Sequence, residues 1–234
     1  VMIQANKNGF LYVVDRTDCT LIAAHPYVKV NWATHIDLAT GRPVLTDLYE
    51  RFLAGEEVSI WPSRGSNAVP VAFNPNTGLV YTSAWHVPRI QQLDPQQEQV
   101  LGGRSTGVNN RFPTVEPGDL LGHFVAINPL TGEKLWEIPL TDFPSSAGML
   151  ATGGGLLFTG KPTGEFLGLD EATGETLWQF QTGSSINSTA ITYTHNGRQY
   201  VTVASGLGGG LANRYAAGKV PTGGSVWTFA LMPE

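Results

Sequence analysis

The sequence predicts an all-β chain built as a β-propeller of four-stranded antiparallel blades. The first observation behind this is a repeated phrase, AINPLTGEKLW at residues 126–136 and GLDEATGETLW at 168–178, whose Asn128 and Asp170 stand 42 residues apart. The second is composition: charged residues are 14% of the chain, whereas Gly and Pro number 28 and 15 among 234 residues. That balance suits many short strands joined by turns and argues against long helices.

Each copy of the phrase has a physical logic. A short apolar strand ends at Asn128 or Asp170, whose side chain is placed to bond the backbone of the turn that follows, and Gly132 or Gly174 supplies a positive φ. Trp136 or Trp178 then opens the next strand and is large enough to act as a clasp between packed sheets. Weaker copies are DLATG at 37–41 and NPNTG at 74–78, and DRTDC at 15–19 lacks the glycine. Successive Asp or Asn positions are separated by 22, 37, 54 and 42 residues. The intervals near 40 fit one blade each, and the irregular ones mark insertions. Unrelated hairpins are the competing reading.

Strands are predicted at residues 9–14, 71–73, 79–83, 121–127, 134–138, 156–159, 165–169, 176–181, 188–194, 200–205 and 225–231, most of them rich in Val, Ile, Leu, Thr or aromatics between turn residues. Residues 156–205 read as one blade, with Asn196-Gly197 as a hairpin turn. Two stretches break the rhythm: 47–65, where LYERFLAGEE suggests a helical turn, and the polar, Gly- and Pro-containing 88–119. Neither reads as a blade strand, so both are expected as loops on one face of the disc, where function tends to reside. Residues 206–224 form a third irregular, glycine-rich segment.

The net charge of −5, with Lys and Arg scattered, offers no footprint for nucleic acid or an anionic membrane. No apolar run approaches the roughly 20 residues of a membrane span. Cys19 is alone, so an internal disulfide is excluded, and it reads as a small buried residue. The chain opens at Val1 without a leader pattern and with a strand already under way, as a portion of a longer sheet would.

Other chemistry finds little support. GLGGG at 206–210 does not open a helix, which favours a structural turn over a phosphate cradle. His25, His35, His86, His123 and His195 show no i, i+4 pair and no Cys at ligand spacing, so they read as polar loop or strand residues. No Cys-x-x-Cys-His haem site occurs, and Ser145-Ser146 and Ser184-Ser185 carry no nucleophile signature.

The block ANKNGFLYVVDRTDCTLIAAHPYVKVNWATHIDLATGRPV at 5–44 resembles the methanol/ethanol dehydrogenase family of quinoproteins. SNAVPVAFNPNTGLVY at 66–81, LLFTGKPTGEFLGLDEATGETLWQFQTG at 156–183 and GGSVWTFAL at 223–231 follow in the same order. The resemblance implies an eight-bladed propeller holding pyrroloquinoline quinone (PQQ) and a Ca²⁺ or lanthanide ion on its axis. Residues 1–234 would then be a single partial domain supplying three to four blades, the C-terminal part of the catalytic ring, completed by N-terminal blades of the same polypeptide.

Carried over residue by residue, Lys7 matches the basic residue of an N-(R/K)-N-G block that bonds the quinone oxygens. Asn67 matches the Asn of a G-x-N-W-x-P block near the cofactor. The residue after it is Ala68 rather than Trp, and Ser146-Ala147-Gly148 stands where Trp-Gly-Gly is frequent, which points to an altered pocket. The family's catalytic Asp and metal ligands match nothing here and are expected upstream of Ala5. The implied reaction oxidises a small-molecule alcohol to an aldehyde in the periplasm, with electrons leaving PQQ for a cytochrome c or quinone acceptor. The alternative is a non-catalytic propeller of the same repeats serving as an interaction scaffold.

Overall fold

The computed structural model describes residues 1–67, 69–98, 101–103, 105–208, 215–216 and 218–231. Four antiparallel sheets follow one another along the chain as blades. The first is β1 (Met2–Ala5), β2 (Phe10–Val14) and β3 (Leu21–Pro26). After a hairpin, β4 (Ala33–Ile36) and β5 (Pro43–Leu45), come the helix α1 (Leu48–Leu53) and β6 (Val58–Ile60). The second blade then uses β7 (Ala72–Asn74) and β8 (Leu79–Trp85), passes through β9 (Arg89–Leu93) and β10 (Val108–Arg111), and closes with β11 (Gly122–Ile127) and β12 (Lys134–Leu140). The third is β13 (Leu150–Ala151), β14 (Leu156–Gly160), β15 (Glu165–Asp170) and β16 (Thr176–Gln181), and the fourth β17 (Ile191–His195), β18 (Arg198–Gly206) and β19 (Gly224–Phe229).

The two middle blades have four strands and the outer two have three among the described residues. Aligning the turns shows which strand differs. The Asp15 turn joins β2 to β3 as the Asn128 and Asp170 turns join β11 to β12 and β15 to β16, so the first sheet lacks the counterpart of β7 and β13. The Asn196-Gly197 turn matches those entering β8 and β14, so the fourth sheet lacks the counterpart of β12 and β16.

The turn chemistry is as the sequence implies. Asn128 Oδ1 accepts from the Leu130 and Thr131 amides at 2.9 and 3.2 Å, and Asp170 Oδ1 from Ala172 and Thr173 at 3.0 and 2.8 Å. Gly132 and Gly174 stand at φ 76° and 74° and bond back to the Asn128 and Asp170 carbonyls. In the turn without glycine, Cys19 itself adopts φ 65°. It is therefore exposed at a turn tip, not buried as its residue type suggested.

The core is a series of layers between blades. Leu11, Tyr27, Val80, Ala84, Val125 and Ile127 fill the first interface, Tyr81, Phe124, Leu157 and Leu169 contribute to the second, and Phe166, Ile186 and Val203 to the third. Every residue of β11 is buried because both its faces meet a neighbouring sheet. Trp136 acts as a clasp: its Nε1 donates to the Glu171 carbonyl at 3.0 Å, and its ring packs on Gly174 of the next blade. Trp178 packs on Phe229 at 5.0 Å and so docks the third blade on the fourth.

The two segments expected as loops are partly ordered. α1 occupies the predicted helical turn, and β6 pairs with β9, which pairs with β10, so the insertions join in a small sheet outside the blades. Among the described residues, no helix is long and apolar enough to cross a membrane.

Candidate functional site

Antiparallel connectivity gives the disc two unlike faces. The turns at 15–20, 75–78, 128–133, 152–155, 171–175 and 196–197 all lie on one edge of their sheets. The connections at 6–9, 27–71, 86–121, 141–149, 161–164, 182–190 and 207–223 therefore emerge on the other. All the long insertions share a face with Lys7 and Asn67.

Lys7 lies in the tight turn between β1 and β2, shaped by Asn6 and Asn8, whose side chains accept from the Asn8 and Phe10 amides at 3.1 and 3.0 Å. Its side chain is exposed and makes no hydrogen bond or ion pair among the described residues. Asn67 is exposed at the end of the 61–67 loop, and its carbonyl accepts from Arg64 Nη2 at 3.2 Å. The structure brings the two segments together through backbone: the Gly65 amide donates to the Lys7 carbonyl at 2.9 Å. Ala68 lies outside the described residues, as does part of the glycine-rich 206–210 segment.

Tyr27 locks this junction, a role that the sequence did not announce. Its hydroxyl donates to the Asn6 carbonyl at 2.8 Å and accepts from the Ser66 amide. Tyr27 is fully buried, and burial pushes its phenol well above the usual value, so it stays a neutral donor. Gly65 has no room for a side chain, since a Cβ there would overlap the Tyr27 hydroxyl and approach the Asn6 carbonyl at 3.1 Å. The Gly65 carbonyl accepts from the Trp85 amide at 3.0 Å, and Trp85 Nε1 donates to Ser145 at 2.8 Å, which ties in the Ser146-Ala147-Gly148 stretch. Ala147 is fully buried there.

Several buried polar atoms at this junction have no protein partner: Ser63 Oγ, Arg64 Nε, Ser66 Oγ and His86 Nδ1. Such atoms are costly unless something bonds them. The His86 ring sits 4.8 Å from the Trp61 ring, and the Lys29 ammonium lies 4.2 Å from the centroid of the same tryptophan as a cation–π contact. Burial and then the Lys29 charge hold His86 below the usual histidine value. His123, on β11, bonds the Tyr27 carbonyl at 3.1 Å, and burial pushes it down to about 4, with Glu137 opposing. It is thus neutral at pH 7, and its 3.7 Å approach to Glu137 is no ion pair.

Among the described residues no group of three or more His, Cys, Asp or Glu side chains could hold a metal ion. A groove of about 540 Å³ lies between β3 and the β4–β5 hairpin, lined by Ile22, His25, His35 and Leu130 among others. None of its lining residues belongs to the Lys7 turn or the 61–67 loop.

Residues 121–201 match the family model described as glucose/ethanol/alcohol dehydrogenase, beta-propeller domain, of the PQQ type. A quinoprotein ethanol dehydrogenase of Pseudomonas putida is 38% identical over 97% of this chain and 38% of its own length. A 1-butanol dehydrogenase (cytochrome c) of Thauera butanivorans is 34% identical over 99% of this chain and 34% of its own. Among solved structures, a europium-containing methanol dehydrogenase superposes with a TM-score of 0.86 at 32% identity, covering 98% of this chain and 44% of that one. The quinohemoprotein alcohol dehydrogenase of Comamonas testosteroni gives 0.85 at 31% identity, covering 99% and 36%. The chain thus spans about a third to less than half of the length of these relatives.

Proposed function

Because the chain belongs to the β-propeller family of PQQ-dependent alcohol dehydrogenases, we propose that it forms the C-terminal part of a catalytic ring that oxidises a primary alcohol, or a similar hydroxyl substrate, to the aldehyde. The observation that carries this reading is the junction of the Lys7 turn with the 61–67 loop, tied by the Gly65–Lys7 and Tyr27–Asn6 bonds on the face that bears every long connection.

The residues present fit a polycarbonyl, anionic cofactor. Ser63 and Ser66 offer buried hydroxyl donors without protein partners, and Lys7 offers an unengaged ammonium. When bound, the quinone supplies a two-electron, two-proton acceptor for the alcohol's hydride and hydroxyl proton. In this reading the Lys7 ammonium steadies negative charge at the quinone oxygens, and the Asn67 amide orients the same ring. Tyr27 fixes the spacing between them. A Ca²⁺ or lanthanide ion and the base that takes the alcohol proton belong to blades outside residues 1–234. Electrons leave for a cytochrome c or quinone in the periplasm. The relatives' greater length, and first and fourth sheets with three strands each among the described residues, support a ring completed elsewhere.

The test uses the full-length protein. PQQ should bind and support dye-linked alcohol oxidation, and Lys7→Ala should lower kcat by about 10² to 10³, the usual cost of one charge-stabilising donor. Undiminished turnover in Lys7→Ala would remove that residue from the site, and absence of PQQ binding by the intact protein would favour a scaffold.

A further inference from the structure

The turn that carries Lys7 is held by its backbone at four successive carbonyls. That of Asn6 accepts from the Tyr27 hydroxyl, that of Lys7 from the Gly65 amide, that of Asn8 from Trp32 Nε1 at 3.0 Å and that of Gly9 from the Tyr27 amide at 3.1 Å. Gly9 is buried at φ 99°, and a Cβ there would stand 2.6 Å from the Val30 side chain and 2.9 Å from that of Pro62. Yet the Lys7 side chain is exposed and makes no hydrogen bond or ion pair among the described residues. A free side chain on a pinned backbone is how a rigid fold presents a group to a ligand.

Trp32 is the unexpected donor in this set. In the third blade the corresponding turn, 161–164, takes the matching bond from Gln181, the last residue of β16, whose Nε2 donates to the Thr163 carbonyl at 3.2 Å. Gln181 pairs with Glu165 as Pro26 pairs with Phe10, so in the first blade that position holds a proline, whose ring has no donor. The donor comes instead from Trp32, outside the blade at the entry to the β4–β5 hairpin, its ring edge to face with Phe10 at 5.9 Å. Its neighbour Asn31 reaches the other way. Asn31 Nδ2 donates to the Ser59 carbonyl at 2.8 Å, and Oδ1 accepts from the Trp61 amide at 2.7 Å, at the root of the 61–67 loop that carries Asn67. Thr46 holds both residues from behind, its amide on the Trp32 carbonyl at 3.1 Å and its hydroxyl on the Asn31 carbonyl at 2.8 Å.

Tyr27 ties Asn6 to Ser66, the start of the turn to the end of the loop. Asn31 and Trp32 tie Asn8 to Trp61, the end of the turn to the start of the loop. Two ties at opposite ends remove the rotation that one alone allows. We propose that Asn31 and Trp32 are a positioning pair for the candidate site, Trp32 acting through Lys7 and Asn31 through Asn67, so that two adjacent residues set the separation of those side chains. The pair deepens the function proposed above and rests on the roles given there to Lys7 and Asn67. Neither Asn31 nor Trp32 is a catalytic residue.

The test is a double-mutant cycle in the full-length protein, read by PQQ titration of the apoprotein and by kcat and KM for 1-butanol in the loaded enzyme. Trp32→Phe keeps a ring against Phe10 and removes the N–H. It should weaken PQQ binding and lower kcat by about tenfold each, the worth of one hydrogen bond, with KM for the alcohol unchanged. In a Lys7→Ala background the same substitution should change neither by more than about twofold, because nothing is left for Trp32 to position. Asn31→Ser, which withdraws from both Ser59 and Trp61, should behave alike against Asn67→Ala. Gln181→Glu removes the matching donor in the third blade, keeps the acceptor for the Gly183 amide, and should leave both readouts at the parent's values. Losses from Trp32→Phe that are equal with and without Lys7, or that Gln181→Glu reproduces, would make these bonds general packing and overturn the proposal. Parent-like PQQ affinity and kcat in both Trp32→Phe and Asn31→Ser would overturn it too, and so would failure of both variants to fold. If Lys7→Ala alone leaves PQQ affinity and turnover intact, the role proposed above for Lys7 fails first; if Lys7→Ala is impaired and Trp32→Phe is not, this inference alone fails.

Discussion

His25 Nε2 lies 2.9 Å from the carbonyl oxygen of Leu130, across the boundary between the first and second blades. A carbonyl can only accept, so Nε2 carries the hydrogen. The imidazole also packs directly on Gly132, whose φ of 76° leaves its face open. Trp136 does the same one blade later, donating to Glu171 and packing on Gly174. His25 thus replaces the tryptophan clasp at the first boundary. His25→Ala should cost about 1 kcal/mol, one net hydrogen bond and a small packing loss, whereas Trp136→Ala should cost about 3 to 5 kcal/mol. Urea unfolding of the two variants checks the order, and equal losses would refute it.

Cys19 occupies the left-handed position that glycine takes in the matching turns. A side chain there costs about 1 kcal/mol. Cys19→Gly should therefore raise the unfolding free energy by a few tenths to about 1 kcal/mol, despite the extra freedom glycine gives the unfolded chain. Cys19→Val should do the opposite. The measurement is a pair of thermal melts, and a stabilising Val would contradict the assignment.

His123 is held neutral by burial, with a pKa of about 4 against an ordinary 6.5. Between those values the unfolded chain binds the additional proton, so stability is fully present above about pH 6.5 and falls as pH drops toward 4. Each unit of that difference is worth about 1.4 kcal/mol, giving a loss of about 2 kcal/mol from pH 7 to 4.5. His123→Gln should flatten the unfolding free energy over that window. A variant with the parent's pH slope would place the effect elsewhere.

Tyr27→Phe removes the hydroxyl while keeping the ring. It leaves the Ser66 amide without its partner and the Asn6 carbonyl with only the Gly9 amide, at about 2 kcal/mol. The loss should be local as well as global: amide exchange at Ser66 should accelerate before exchange in β11 does. Gly65→Ala should produce the same signature by overlap with the Tyr27 hydroxyl. Uniform acceleration across all sheets would mean that Tyr27 serves general packing and not the junction.

Much of the blade architecture was written in local chemistry. The turn at Asp170 combines an acceptor side chain and a left-handed glycine, both acting on near neighbours, with Trp178 placed just beyond to reach Phe229 in the next blade. The small sheet of β6, β9 and β10 was hidden because its pairing joins residues on either side of a blade hairpin, and β10 is mostly exposed, so its sequence shows no buried alternation. The hairpin of β4 and β5 was hidden for a similar reason, since all of β5 is exposed. Lys7 and Asn67 could be named from resemblance, but nothing local marked Tyr27. The partners of Tyr27 lie 21 and 39 residues away.

The tight-turn edge of the disc has almost no freedom to change. Leu130 and Glu171, in the middle of two such turns, are the very groups that a neighbouring blade grips, so lengthening either turn by a residue would loosen two blades at once. On the opposite edge, where the Gly65–Lys7 and Trp85–Ser145 bonds also knit connections together, the exposed stretch 101–103 carries no such grip among the described residues. A peptide tag spliced at 101–103 should therefore survive where the same tag at 130–131 would not.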